Sequence, residues 1–482
     1  MRRPHLTAAL CLLTLLGATG ACETSTDADE LTGTHRSLDA EEVFGPLAPG
    51  EVLELVDNED GTVSYALSPE SALEQDTLVT AGFVTWRYVG QAHFPAEHMQ
   101  VDEIQPYEVV EETNTTTDEQ LATMVRVDNR GRRWVVEHYD EQALAEAVAA
   151  YDAAGEEEPD RPEEFPEALA GIQNPDHTPP LGTWVDFEPH TWTHFTCPAE
   201  GGAPEIRTHM WEGEDRTTVL THTFQEEAAV KIFTLRDGAR PTATTARLGH
   251  CSGVMIDDSH VLTAAHCVSN ARNFDLQANR VQVCLSTSGS CTDSFSGTPL
   301  GVGPLPPFSD SSPSGRTVVA IDRPANYNGG SDTTMGIDWD DDWAIVTLSG
   351  PFSNRSLRLS GLSNRGIRAL TRTRSFGYPA QRRDPSPSGC DETLSRLQRV
   401  TEIESPSSTT TKKVRHRSDA TAGQSGAPMY YCPHRDNSRC NEHPRETGFV
   451  YGVHSGWNGF NLHVVGPKVP NFRAAALAMI EG

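Results

Sequence analysis

Three stretches far apart in the chain each set one reactive residue type among small or apolar neighbours. In Leu262-Thr263-Ala264-Ala265-His266-Cys267, small residues let the backbone pack closely around an imidazole, and Cys267 can bridge to Cys251. In Asp342-Trp343-Ala344-Ile345-Val346, an acid stands at the mouth of an apolar strand, where burial fixes a carboxylate against an imidazole N–H. In Gly423-Gln424-Ser425-Gly426-Ala427-Pro428, the glycines permit a tight turn that exposes a hydroxyl and aims backbone N–H groups at one point. Each alone has a plainer reading: a structural histidine, a solvated carboxylate beside Asp338, Asp340 and Asp341, or an ordinary loop. Together they predict nucleophilic catalysis through an acyl-enzyme. Ser425 Oγ attacks a carbonyl carbon, His266 takes and returns its proton, and Asp342 holds the tautomer. Backbone N–H groups of Gly423 and Ser425 form the expected oxyanion hole.

In the order His, Asp, Ser, these segments resemble those of the chymotrypsin-fold, trypsin-like serine proteases, and within them the bacterial glutamyl endopeptidases. Gly213-Glu214-Asp215-Arg216-Thr217-Thr218-Val219 resembles the start of the mature enzyme in that group. Phe376-Gly377-Tyr378-Pro379 and Gly452-Val453-His454-Ser455 resemble further motifs of it, and the similarity runs from about His209 to Gly482. The resemblance implies an all-β fold: a chymotrypsin-like double antiparallel β-barrel with the triad between the barrels.

It also implies that His454 contacts an acidic side chain of the substrate, with Thr421 and Ser455 beside it. Cleavage after Glu or Asp follows, since an imidazole donates a hydrogen bond to a carboxylate. Asp419 argues the other way, because it stands where trypsin-like enzymes carry the acid that attracts Arg or Lys. Cleavage after Arg or Lys is therefore the alternative, and a catalytically silent pseudo-protease acting as an exported binding protein is a third reading. Gln424 replaces the Asp that pairs with the freed N-terminal amine in trypsin-type enzymes. A neutral amide cannot form that buried ion pair, so processing close to Arg207 or Thr208 is expected to act otherwise, by bringing the new N-terminus near the specificity pocket.

The elements that must position these residues read as short strands. Ala228 to Leu235, Cys251 to Ile256, His260 to Thr263, Trp343 to Leu348, Ala427 to Tyr431 and Gly448 to His454 are β-rich, and Asp257-Asp258-Ser259 is a turn. A C-terminal helix is predicted over Asn471 to Ile480, after Pro470. With 482 residues, 39 glycines and 32 prolines, the chain is too long for one ordinary domain and too rich in turns for a coiled coil. Its segments divide as a signal peptide (1–21), an acidic linker (22–40), a small α+β module or propeptide (41–154), an acidic Pro-rich linker (155–208) and the protease domain (209–482). Within the module, Thr62 to Leu67 and Phe83 to Tyr88 alternate as strands do, and Glu141 to Ala153 reads as a helix.

Charge separates the two halves. Before His209 there are 41 acidic and 10 basic residues, and from His209 on there are 27 and 28. With a net charge of −30, nucleic acid is not an expected partner, because affinity for phosphates rests on an excess of Lys and Arg. Protein or peptide substrates are, and the chain is expected to act as a monomer without cofactor or metal.

Arg2 and Arg3 before an apolar run, then Gly20-Ala21-Cys22, predict export, either as a secreted protein or as an envelope lipoprotein anchored through a lipid on Cys22. An oxidising destination favours disulfides. Besides Cys251 and Cys267, the spacings of Cys284 with Cys291 and of Cys432 with Cys440 suit loop staples, leaving Cys197 and Cys390 as a further pair. Zinc held by Cys432, His434, Cys440 and His443 is the less favoured reading of those residues.

Overall fold

The computed structural model of the protein describes residues 40–45, 54–57, 59, 62–66, 73–95, 121, 123–155, 208–209, 216–218, 223–235, 248–269, 281–285, 315–327, 341–353, 355–368, 370, 373–378, 397–403, 408–409, 413–416, 420–421, 424–432, 448–458, 463–467 and 469–480. The expected signal peptide, nearly all of both linkers, and Cys22, Cys197, Cys291, Cys390, Asp419, Gly423 and Cys440 lie outside these residues.

The N-terminal module runs α1 (Ala40–Phe44), β1 (Glu54–Asp57), β2 (Thr62–Ala66), β3 (Leu78–Ala81), β4 (Val84–Gln91), β5 (His93–Pro95), β6 (Met124–Asp128), β7 (Arg132–Tyr139) and α2 (Glu141–Gly155). Along β4, alternate residues Val84, Trp86 and Tyr88 turn inward, as the two-residue period of a strand with one buried face requires. Asp140 starts α2 by accepting the Ala143 N–H on its carboxylate at 3.0 Å, which satisfies one of the helix's orphan donors.

The following stretch runs β8 (Thr208–His209), β9 (Arg216–Thr218), β10 (Ala229–Leu235), β11 (Leu248–Met255), β12 (His260–Thr263), α3 (Ala265–Val268), β13 (Val281–Leu285), β14 (Gly315–Pro324) and β15 (Ala344–Leu348). Strands pair in the order β13-β10-β11-β12-β15-β14, and β13 also pairs with β14, which closes a six-stranded antiparallel barrel. Val230, Ile232, Val254, Val261, Val283, Ile345 and Val346 are buried in it.

The rest runs β16 (Arg358–Leu359), α4 (Asn364–Arg368), β17 (Thr373–Gly377), β18 (Gln398–Ile403), β19 (Ser408–Thr409), β20 (Lys413–His416), β21 (Ala420–Thr421), β22 (Pro428–Tyr431), β23 (Phe449–Val453), β24 (Gly456–Asn458), β25 (His463–Pro467) and α5 (Val469–Ile480). Among the described residues these strands form sheets in the orders β16-β23-β22-β17-β18-β9, β19-β20-β25-β24 and β21-β8. Every pairing is antiparallel except that of β16 with β23. The chymotrypsin-like, mostly β fold is present. The C-terminal helix begins at Val469, with Pro470 in its first turn, where a missing N–H leaves no bond unmade.

The sequence predicts a module set apart from the barrel, yet the two share one sheet. Beyond its pairing with β13, β14 continues along β6, so the order runs on through β14-β6-β7-β4-β3. Residues 37–482 form one compact unit.

Candidate active site

The pairing of β12 with β15 explains how two residues 76 positions apart meet. Their antiparallel register sets Thr263 opposite Ala344. His266 follows β12 and Asp342 precedes β15, so both stand at the same end of the ladder. There Asp342 Oδ1 accepts the His266 backbone N–H and Oδ2 faces His266 Nδ1, each at 2.8 Å. An ionised carboxylate only accepts, so the proton in this contact is the one on Nδ1, while Nε2 lies 3.8 Å from Cys267 Sγ. The Asp342 side chain is 0% exposed and that of His266 12%, so the acid is sealed while the imidazole keeps an opening to solvent.

Neighbouring contacts hold both residues. Cys267 is bridged to Cys251 with Cα atoms 6.0 Å apart, which ties α3 to β11. Trp343 stacks on Phe472 of α5, with ring centroids 4.3 Å apart and planes 12° apart. Ser455 Oγ donates to the Asp342 carbonyl at 3.3 Å. Its hydroxyl thus braces the main chain of the acid.

Ser425 sits in a turn closed by the Ala427 N–H donating to Gln424 O at 2.9 Å. Gly426 there has a φ of +83°, a value that a type II turn demands of its third residue. A Cβ on Gly426 would lie 2.1 Å from Ser252 O and 2.2 Å from Thr263 Oγ1, so only glycine fits. Ser252 N–H donates to Ser425 O at 2.7 Å, and Thr263 Oγ1 donates to Ser252 O at 2.8 Å. The turn is therefore seated on the strands that lead into His266, and Ser425 itself is half-buried. Nothing in the local sequence marks Ser252 and Thr263 as its supports, because the contact exists only after β11 and β12 have paired.

His454 lies beside the same turn. Its carbonyl accepts the Gly426 N–H at 2.7 Å and its own N–H donates to Ala427 O at 2.8 Å. Burial, with the nearby His266 acting in the same direction, pushes its pKa down to about 3, against a smaller opposing pull from Asp342. The ring is therefore neutral near neutral pH. Thr421 belongs to β21, which pairs with β8, so that Ala420 lies opposite His209 and Thr421 opposite Thr208. The expected processing point thus adjoins the segment leading to Ser425.

Of the remaining cysteines, Cys432 is disulfide-bonded and Cys284 is buried in β13. Their expected partners, Cys440 and Cys291, lie outside the described residues, as does the expected pair of Cys197 and Cys390. Ligand atoms of Cys251, His266 and Cys267 lie within 4.8 Å of one another. Both sulfurs are consumed by the disulfide, so no thiolate is left for a metal.

Among curated proteins none matches this chain. Two solved structures, one described as a Glu endopeptidase in complex with MPD and one as a scabies mite inactivated protease paralogue, are similar at 17% and 15% identity. Each covers 55% of this chain and 98% of its own, with TM-scores of 0.34 and 0.35. Residues 251–432 match the family described as the trypsin-like peptidase domain. His266, Asp342 and Ser425 all fall within the matched stretch.

Proposed function

We propose that the protein is an exported serine endopeptidase in which Ser425, His266 and Asp342 are the catalytic residues. The observation that carries this reading is the double hold of Asp342 on His266, which leaves Nε2 as a base at the end of the ladder where the Ser425 turn is seated. In the forward step Nε2 takes the Ser425 proton as Oγ attacks the scissile carbonyl. The imidazolium is stabilised by Asp342 and returns the proton to the leaving amine. Water then repeats the sequence on the acyl-enzyme. Gly423 and Ser425 supply the oxyanion donors, an effect of about 10²–10³ in rate.

Cleavage after Glu or Asp is supported by His454. Its neutral ring is a donor that a substrate carboxylate can meet, and a carboxylate arriving there draws the imidazole toward its charged form. The Cys251–Cys267 disulfide supports an oxidising destination, reached through a signal peptide at 1–21 either as a secreted protein or as one anchored through a lipid on Cys22. Processing near Arg207 matures the zymogen, and the active enzyme is a monomer.

A fluorophosphonate probe should label Ser425, and Ser425→Ala should abolish labelling. Paired fluorogenic peptides differing only in Glu or Arg before the scissile bond then read the pocket. Faster turnover of the Arg peptide rejects the Glu preference in favour of Asp419 as the specificity acid, and an unlabelled Ser425 rejects catalysis itself.

A further inference from the structure

We infer that residues 40–155 are a permanent part of the working molecule, held on the peptidase domain as a non-covalent second chain once the connection between 156 and 207 is cut. Three independent contacts point to this.

The first is a continuous ladder. β14 leaves β13 after Thr317 and pairs with β6 from Ala320 to Pro324, opposite Asp128 to Met124. Asn129 N–H donating to Val319 O at 2.8 Å and Ala325 N–H donating to Thr123 O at 2.7 Å extend it at both ends. Strand addition of this kind satisfies an edge that would otherwise stay open.

The second contact is a buried ion pair across that ladder. Arg126 Nε and Nη2 donate to the two oxygens of Asp322 at 2.7 and 2.9 Å, with the side chains 2% and 0% exposed. The guanidinium lies over the rings of Phe44 and Trp86, 4.8 and 4.4 Å from their centroids. One continuous apolar core contains Phe44, Trp86 and Trp134 from the module together with Val254, Ile321 and Val346 from the barrel.

The third contact joins α2 to the other end of the chain. Tyr151 OH accepts the Leu359 N–H at 2.8 Å, the Arg358 guanidinium lies 4.4 Å from the Tyr151 ring, and Arg473 Nη1 donates to Asp152 Oδ2 at 3.2 Å. Arg473 belongs to α5, whose Phe472 stacks on Trp343 next to Asp342. A segment meant to leave has little reason to share a sheet, a core and a sealed ion pair with what it leaves. Losing it would bare the edge of β14 and strip Asp322 of its partner.

The test uses the full chain carrying Ser425→Ala, to prevent self-cleavage, with a recognition site for a site-specific protease inserted after Glu158. The cut lies upstream of Cys197, so no expected disulfide joins the pieces. Native mass spectrometry and gel filtration after cutting should give one species of undiminished mass, resolving into two bands only on a denaturing gel. Elution of the 1–158 piece by itself in the absence of denaturant overturns the inference. Should the insertion impair folding, brief digestion of the chain without it by a Glu-specific protease, directed at Glu156 to Glu158, allows the same measurement.

In the chain with Ser425 intact and already processed near Arg207, peptide hydrolysis should stay within about threefold of its rate before the cut after Glu158. A larger rise or fall overturns the claim that the module belongs to the working form. Equal inactivity before and after cutting counts against the proposed peptidase activity alone, because retention is read without it.

Discussion

Two sealed carboxylates on neighbouring parts of the barrel, Asp322 in β14 and Asp342 just before β15, are built alike and serve different ends. Both are 0% exposed, and each accepts two N–H groups at 2.7–2.9 Å. Asp322 faces a guanidinium, which keeps its proton at every accessible pH and can only hold. Asp342 faces an imidazole, which can give its proton up and take it back. The partner of Asp322 is 2% exposed and that of Asp342 is 12%, so the second pair is the one with an opening to solvent. The geometry of a buried acid does not by itself distinguish structure from catalysis; the acidity and access of its partner do.

The sharpest way to break this comparison is to neutralise both acids in turn. Asp342→Asn keeps the shape but offers an N–H to Nδ1, favouring the wrong tautomer; kcat should fall by about 10⁴ while the thermal midpoint moves little. Asp322→Asn should do the reverse. It leaves Arg126 buried against a neutral amide, so urea unfolding should register a loss of about 3–5 kcal/mol while kcat per folded molecule holds. Replacing the pair by Asp322→Leu with Arg126→Met should recover most of that loss, since the charges are then removed together.

A smaller effect concerns His454, whose burial outweighs the pull of Asp342 toward the charged form. Its folded pKa of about 3 lies below its ordinary value of 6.5, so between those two pH values the unfolded chain binds a proton that the folded chain refuses. Its contribution is constant above pH 6.5, and stability falls as the pH drops below it, by about 1.4 kcal/mol per unit. Urea midpoints from pH 4 to 8 should steepen accordingly, and His454→Gln should flatten the curve. Least of all, Tyr151→Phe removes the acceptor for the Leu359 N–H and should cost about 1 kcal/mol in the same unfolding measurement, with no change in kcat.

Much of the site was legible because its chemistry is carried by local patterns. The glycine after Ser425 announces a turn, and the structure answers with a φ of +83°. The apolar run after Asp342 announces a strand entering a core, and Ala344 to Leu348 forms one. Small residues before His266 announce close packing, and the Gly426 turn rests against Thr263 and Ala264. The role of Ser455 was not legible, because its hydroxyl bonds to a main-chain carbonyl 113 residues away. Nor was the seam between module and barrel, since an arginine in one strand and an aspartate in another carry no mark of being partners across 196 positions.

By itself the sequence determined which residues could react, which segments would extend or turn, and that an acidic first half precedes a charge-balanced second half. These follow from side-chain chemistry, backbone preference and short-range periodicity, all of which act within a few residues. Tertiary structure alone decided that Asp342 grips His266 twice, that His454 is neutral, and that the module shares its sheet and core with the peptidase barrel. Burial and partnership depend on which distant strands lie side by side, and that is set by packing the whole chain at once.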